Sequence, residues 1–304
     1  MRRYTGISEQ DRHRLDKNLM RRAFERAAHG YDEAAQLQQE VGRRMLERLE
    51  LIRFLPKLIL DVGAGTGACS SALSHRYKNT RVVALDFAVN MLKQARQRVS
   101  LFDKCFRKQQ SFVCGDAEML PVASASVDMI FSNLTLQWCD DLDQTFREFR
   151  RVLKPGGLLI FSTVGPDTLK ELRASWARAD NFNHINAFID MHDIGDALIR
   201  AHLTAPVMDA EYFTLTYPDV MKLMHDLKTL GAHNVTAGRA DSLTGKTRLK
   251  ALMDAYENYR SDGSLPATYE VVYGHAWAPE NDPAQTEQGI TKVPISQITY
   301  TSRR

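Results

Sequence analysis

Three aspartates recur at the same kind of place early in the chain, each beside the end of a short apolar run. Asp61 lies in residues 57–62 (KLILDV), Asp86 ends residues 81–86 (RVVALD), and Asp116 follows the run at 112–114. Between the first two runs the chain reads Gly63-Ala64-Gly65-Thr66-Gly67. Glycines allow a tight turn and let a ligand approach the main chain without a Cβ in the way. Carboxylates beside such a loop accept hydrogen bonds from hydroxyl and amino groups and attract positive charge. In an open α/β sheet, ligands bind in the crevice outside the carboxyl ends of the strands, where all three would stand.

Two ligand classes use a loop of this kind. Gly63, Gly65 and Ala68 satisfy the G-x-G-x-x-G/A dinucleotide pattern, and Asp86 lies about where that pattern wants its ribose-binding acid. Asp61 argues against it. An anion two residues before the first glycine would repel a pyrophosphate but suit a cationic amino-acid moiety. Asp116, in Cys114-Gly115-Asp116-Ala117-Glu118-Met119-Leu120-Pro121, supplies an acceptor for a base's amino group. Both features favour S-adenosylmethionine, with Asp61, Gly63, Gly65, Gly67, Asp86 and Asp116 around it.

The elements that must position these residues can be read from the pattern. Residues 57–62, 81–86, 112–114, 127–132 (VDMIFS) and 158–163 (LLIFST) have the short apolar form of buried parallel strands. Leu142, Phe146, Phe149 and Leu153 give a helical period that should stop at a turn, Lys154-Pro155-Gly156-Gly157. Residues 207–216 and 268–278 read as two later strands. Alternating strands and helices imply right-handed crossovers and a doubly wound, Rossmann-like α/β sheet of seven strands. Residues 19–52 look helical, with Leu37, Val41, Met45 and Leu49 on one face, and a break falls near Pro56. An N-terminal helical cap over 19–55 follows. Helices marked by Val220, Leu223, Met224 and Leu227, and by Leu249, Leu252, Met253 and Tyr256, fall in an insertion at about 217–263 that is expected to act as a lid. Residues 1–18 are expected to be a mobile arm, 19–278 one domain, and 279–304 a disordered tail.

Composition narrows the setting. With 304 residues, 44% hydrophobic and 25% charged, the chain can bury a full core. No apolar run approaches the ~18 residues of a membrane span. A net charge of +3 does not argue for nucleic acid, but the first fifty residues carry Arg21, Arg22 and Arg26, then Arg43, Arg44 and Arg48. They read either as solvated helix faces or as a dock for an acidic partner. The four cysteines (Cys69, Cys105, Cys114, Cys139) show no zinc or redox spacing, which suits reduced thiols in a cytoplasmic protein, and no metal is expected.

In order, LDVGAGTG, VVALDFAVNML, GDAEMLP, SNLTLQWCDDL and RRVLKPGGLLIFST resemble the class I S-adenosylmethionine-dependent methyltransferases. Phe24–Asp32 (FERAAHGYD), Asn133–Trp138 (NLTLQW) and the stretch from Leu227 to Gly238-Arg239 extend the likeness, over about residues 18–278, to the malonyl-acyl-carrier-protein O-methyltransferases that open biotin synthesis. That resemblance implies that Asp86 holds the ribose hydroxyls, that Asp116 and Ala117 contact adenine, and that Asn133 lies near the methionine part. It also implies an acidic acyl carrier protein as partner, met by the basic N-terminal helices. A malonyl carboxylate is ionised at neutral pH, since free carboxylic acids titrate near ~4, so no general base is needed. The site must still tell malonyl from acetyl, and a guanidinium fork with hydroxyl support does this well. Arg239 and Tyr31 are the candidates, with Gln137 and Trp138 shaping the acceptor pocket and His29 as a weaker one. GPDTLKELR and DGSLPATYEVVY also resemble a methyltransferase-related assembly factor for respiratory complex I, associated with arginine hydroxylation. A catalytically silent cofactor-binding scaffold is the third class of function.

Overall fold

The computed structural model describes residues 15–99, 110–180, 182–232, 234 and 245–280. Strands β1 (Leu58–Val62), β2 (Arg81–Asp86), β3 (Gln110–Cys114), β4 (Val127–Ser132) and β5 (Leu153–Val164) run parallel. With β6 (Thr204–Tyr217) and β7 (Leu265–Trp277) they make the expected seven-stranded sheet, in the order β3-β2-β1-β4-β5-β7-β6. β7 is antiparallel to both of its neighbours. Ile59, Leu60 and Val62 of β1 are wholly buried, as a central strand covered on both faces requires.

The turn expected at Lys154–Gly157 is absorbed into β5 as an irregularity. Val127 pairs with Leu153 and Met129 with Leu158, so the intervening residues bulge out while the strand continues. Gly156 takes a φ of 71° there.

The helical cap is three pieces: α1 (Lys17–Ala27), α2 (Tyr31–Ala34) and α3 (Gln36–Arg48). α1 begins at Lys17, inside the stretch read as a mobile arm, because the Asp16 carboxylate accepts hydrogen bonds from the Asn18 and Leu19 amides at 3.0 Å. Residues 1–14 and 281–304 lie outside the described residues. Leu37, Val41 and Met45 of α3 face the core, as their spacing predicts.

Around the sheet lie α4 (Ala68–Arg76), α5 (Val89–Arg98), α6 (Leu142–Val152), α7 (Lys170–Ala179) and α8 (Met191–Arg200). The insertion carries α9 (Val220–Thr229) and α10 (Lys246–Tyr256). α10 packs on α7 and buries Leu252 and Tyr256 completely, so it is part of the core. α9 alone of the two lines the large cavity described below. Among the described residues, no helix is long and apolar enough to cross a membrane.

α6 shows how one face is held. Phe146 and Phe149 are fully buried, and the Phe146 ring lies 5.6 Å from that of Phe161 in β5. Phe146→Ala is expected to cost roughly 3–5 kcal/mol, the usual loss for an aromatic truncated in a packed core. The check is the denaturant midpoint at constant m-value; a loss below about 1 kcal/mol would mean that α6 contributes little to the core.

Candidate functional site

The glycine loop is strapped to the end of β2. The Gly63 and Ala64 amides both donate to the Leu85 carbonyl, at 2.8 and 2.9 Å. The Gly65 amide donates to Asp86 Oδ2 at 2.9 Å, and the Ala88 amide to Oδ1 at 2.8 Å. Gly63, at a φ of 73°, would push a Cβ to within 2.0 Å of Thr135 Oγ1. Gly65, at 54°, would meet nothing within 4 Å, because it faces open space.

That space is a cavity of about 80 Å³ whose wall includes Gly63, Gly65, Asp86, Asp116, Ala117 and Asn133. Six of the sequence-predicted cofactor residues thus meet there. Asp61 and Gly67 do not line it. Gly67 packs against Ala95 of α5, and Asp61 is buried behind the loop, accepting a hydrogen bond from Ser70 Oγ. Asn133 is fixed from two sides, donating to the Gln38 carbonyl at 2.9 Å and accepting from Ser162 Oγ at 2.8 Å. Asp116 accepts from Lys17 Nζ at 2.6 Å, which ties α1 to the loop after β3. Glu25 of α1 caps α5 in turn, accepting from the Val89 and Asn90 amides at 2.7 and 2.8 Å.

The electrostatics of this wall select a ligand. Burial pushes Asp61 up to about 7, and the Asp86 carboxylate raises it further. Burial likewise pushes Asp86 up to about 6, with Glu25 adding to the effect. Among the described residues neither carboxylate has a lysine or arginine partner. Two desolvated anions without a counter-charge fit a cationic ligand and would repel a pyrophosphate.

A second cavity, of about 270 Å³, adjoins the first. Phe24, Tyr31, Leu134 and Trp138 line both, forming a shared wall. Phe24 and Trp138 meet edge to face at 5.1 Å. Leu134 adopts a φ of 49°, left-handed backbone that is rare outside glycine, and its amide donates to the carbonyl and hydroxyl oxygens of Ser162 at 3.1 and 3.0 Å. Gln137 lines the larger cavity and braces the turn, donating to the Leu134 carbonyl at 2.7 Å. Tyr31 is held above the ordinary phenol range by burial first, then by Asp86 and Asp32, so its hydroxyl is a neutral donor. Arg239 lies outside the described residues. His29 is exposed and faces Gln94, away from both cavities.

Sequence reasoning missed Phe24, Leu134, Trp176, His184 and Asn186 as lining residues. Phe24 and Leu134 sit inside stretches that carry the family resemblance. Trp176 lies within α7, and His184 and Asn186 stand in the irregular chain after it, where no periodic signal marks them.

The raised Asp61 gives a signed pH dependence. Its folded pKa lies above its unfolded value, so the parent loses stability as pH rises from about 4 through about 7. Asp61→Asn keeps an acceptor for Ser70 but removes the charge. Relative to the parent, it is expected to gain roughly 1–3 kcal/mol between pH 5 and pH 8. Denaturation curves at the two values check this, and an unchanged difference would show that Asp61 is not strained by its charge.

A family model described as "Methyltransferase domain" matches residues 60–161. In fold, the chain is similar to the YcgJ protein of Bacillus subtilis (TM-score 0.56, 16% identity, covering 79% of this chain and 99% of that one). It is similar also to the [4+2]-cyclase SpnF (TM-score 0.50, 18% identity, covering 79% and 81%). The second likeness shows that the sheet alone does not set the chemistry. In sequence, the chain is 54% identical over 271 residues to the malonyl-[acyl-carrier protein] O-methyltransferase of Methylovorus sp. strain MP688, covering 89% of this chain and 92% of that one. It is 54% identical to the enzyme of that name from Gallionella capsiferriformans, covering 87% and 92%. The Coxiella burnetii enzyme is 45% identical, covering 93% and 96%. On these matches and this fold, the chain is a methyltransferase and belongs to the malonyl-[acyl-carrier protein] O-methyltransferase family.

Proposed function

We propose that the chain transfers a methyl group from S-adenosylmethionine to the free carboxylate of a malonyl thioester carried on acyl carrier protein. The observation that carries this reading is the shared wall: one cavity bounded by the carboxylates of Asp86 and Asp116, the other mostly by apolar side chains, with Phe24, Tyr31, Leu134 and Trp138 common to both. S-adenosylmethionine, when bound, supplies an electrophilic methyl on a cationic sulfur. Gly63, Gly65, Asp86, Asp116, Ala117 and Asn133 are the residues that would hold it.

The acceptor carboxylate is already ionised at neutral pH, so no proton has to leave it. The chain's task is alignment and dryness. Good alignment supplies roughly 7–11 kcal/mol. Phe24, Leu134 and Trp138 exclude water at the wall, and the neutral Tyr31 hydroxyl is placed to steady the acceptor without competing as a nucleophile. Methylation masks the acyl group's charge, and the resemblance puts this step at the opening of biotin synthesis. A cytoplasmic setting is supported by Cys69, Cys114 and Cys139, all free thiols.

Charge pairing narrows the carrier-protein dock. Arg43 and Arg44 are spent on Glu40, Glu47 and Glu211, and Arg48 pairs with Asp209 at 2.8 Å. Arg21 and Arg22 of α1 are exposed and make no ion pair among the described residues. They support α1 as the face that meets an acidic carrier.

The direct test is transfer of labelled methyl to malonyl-acyl carrier protein, with acetyl-carrier protein as control; label on neither would sink the reading. Asp86→Ala should weaken S-adenosylmethionine binding by around 1–3 kcal/mol in a calorimetric titration. Reversing Arg21 and Arg22 to Glu should raise KM for the carrier thioester, leave a pantetheine thioester nearly unaffected, and remove most of the salt sensitivity expected of exposed charges. Equal losses on both substrates would move the dock elsewhere.

A further inference from the structure

The acceptor cavity has a shortage that the proposed substrate makes acute. Its wall is mostly apolar, with Leu37, Leu172, Phe188, Met224 and Leu227 among the lining side chains. A carboxylate brought into such surroundings is strongly disfavoured unless a cation or a set of donors meets it. Neither lysine nor arginine lines the cavity among the described residues, and His184 is the one lining side chain that can become cationic.

His184 is held on two sides. Its ring lies flat on the Trp176 indole, centroids 3.7 Å apart and planes within 9°. Its Nε2 meets Asp180 Oδ1 at 2.7 Å. Burial pushes Asp180 up, but the Phe182 amide and the His184 ring outweigh it and hold the carboxyl below the usual range, so it is an anion facing the imidazole. Arg248 of α10 stands 3.7 Å from the other Asp180 oxygen and keeps that carboxylate in place. With Nε2 engaged, Nδ1 is the ring atom left to meet a ligand, and it donates when the ring carries both protons; among the described residues it has no partner. Two residues on, Asn186 lines the same cavity at 6% exposure, and its Oδ1, an acceptor, has no hydrogen-bond partner among the described residues and is open to a ligand's N–H or O–H. A buried amide left unspent by the protein is costly unless a ligand uses it. Among the described residues the one carboxyl that lines the cavity, Asp226, is paired with Lys222 at 2.7 Å.

We propose that His184 reads the acceptor's free carboxylate, with Asp180 and Trp176 as the residues that position the imidazole. This rests on the proposed function and adds to it the part of the site that distinguishes a malonyl from an acetyl thioester. The aromatic face favours a cation stacked on it, and the Asp180 carboxylate engages Nε2, which leaves Nδ1 for the ligand. The substrate carboxylate completes a charge chain that the protein leaves open at one end.

The test measures binding as well as turnover. Affinities of malonyl-pantetheine and acetyl-pantetheine are titrated calorimetrically in the presence of S-adenosylhomocysteine, for the parent, His184→Gln, Asn186→Asp and Asp180→Asn. The parent should prefer malonyl by on the order of tenfold or more, the scale of a charge-assisted hydrogen bond. His184→Gln should collapse that preference while leaving acetyl affinity and S-adenosylhomocysteine affinity unchanged. Asn186→Asp, which sets an anion against the substrate's own, should reverse it. Asp180→Asn should weaken it in part. Retained malonyl preference in His184→Gln would overturn the proposal, and so would equal loss of both ligands, which would make His184 a reader of the thioester or pantetheine arm. Should the folded parent fail to methylate malonyl-acyl carrier protein, the proposed function itself falls. Parent activity with an indifferent His184→Gln removes the present inference alone.

Discussion

Two carboxyl groups, Asp61 and Asp86, are taken out of water at the ends of neighbouring strands with no basic side chain among the described residues to neutralise them. Much of the site's architecture depends on keeping them there. Asp86 is tolerated because two amides, from Gly65 and Ala88, spend their hydrogen bonds on it, and those bonds fix the glycine loop against β2. Asp61 is tolerated because Ser70, in the first turn of α4, donates to it. The loop, the start of α4 and the end of β2 are therefore organised around buried negative charge. A cationic ligand relieves that burden, while a dinucleotide phosphate would compound it.

The same logic runs through the N-terminal helices. Lys17 reaches Asp116 and Glu118, and Glu25 caps α5, so α1 is fastened over the smaller cavity by charge at both ends. The short α2 and the breaks around it bring Tyr31 to the shared wall. An unbroken helix over 19–52, the simplest reading of the periodicity, would not make that turn. Gly30 and Ala35 flank the break in non-helical backbone.

The sheet was legible because buried parallel strands are nearly continuous apolar runs, and KLILDV, RVVALD and VDMIFS admit few other readings. The glycine loop and its aspartates were legible for a related reason: their meaning is local. The larger cavity was legible only in part, at Tyr31, Gln137 and Trp138. α7 hides its periodicity behind Glu171, a buried acid whose carboxylate accepts from the Thr268 amide at 3.1 Å and from its hydroxyl, far away in sequence. His184 and Asn186 stand in irregular chain, and only the stack on Trp176 and the pairing with Asp180 single out His184. Lys17 and Asp116 likewise meet across 99 residues. Contacts that fold creates at such separations leave no period or spacing to read.

The wall of Phe24, Tyr31, Leu134 and Trp138 has an evolutionary corollary. Under the proposed assignment of donor and acceptor, one set of side chains bounds both chambers, so enlarging it to admit a bulkier acceptor also loosens the donor's enclosure, and the two properties cannot drift apart there. Freedom to change acceptor lies on the opposite side, in Leu172, Leu215, Met224 and Leu227, which touch only the larger chamber. Descendants of this scaffold that diverge in what they methylate should therefore vary first along α7, β6 and α9, while the partition facing the donor stays fixed.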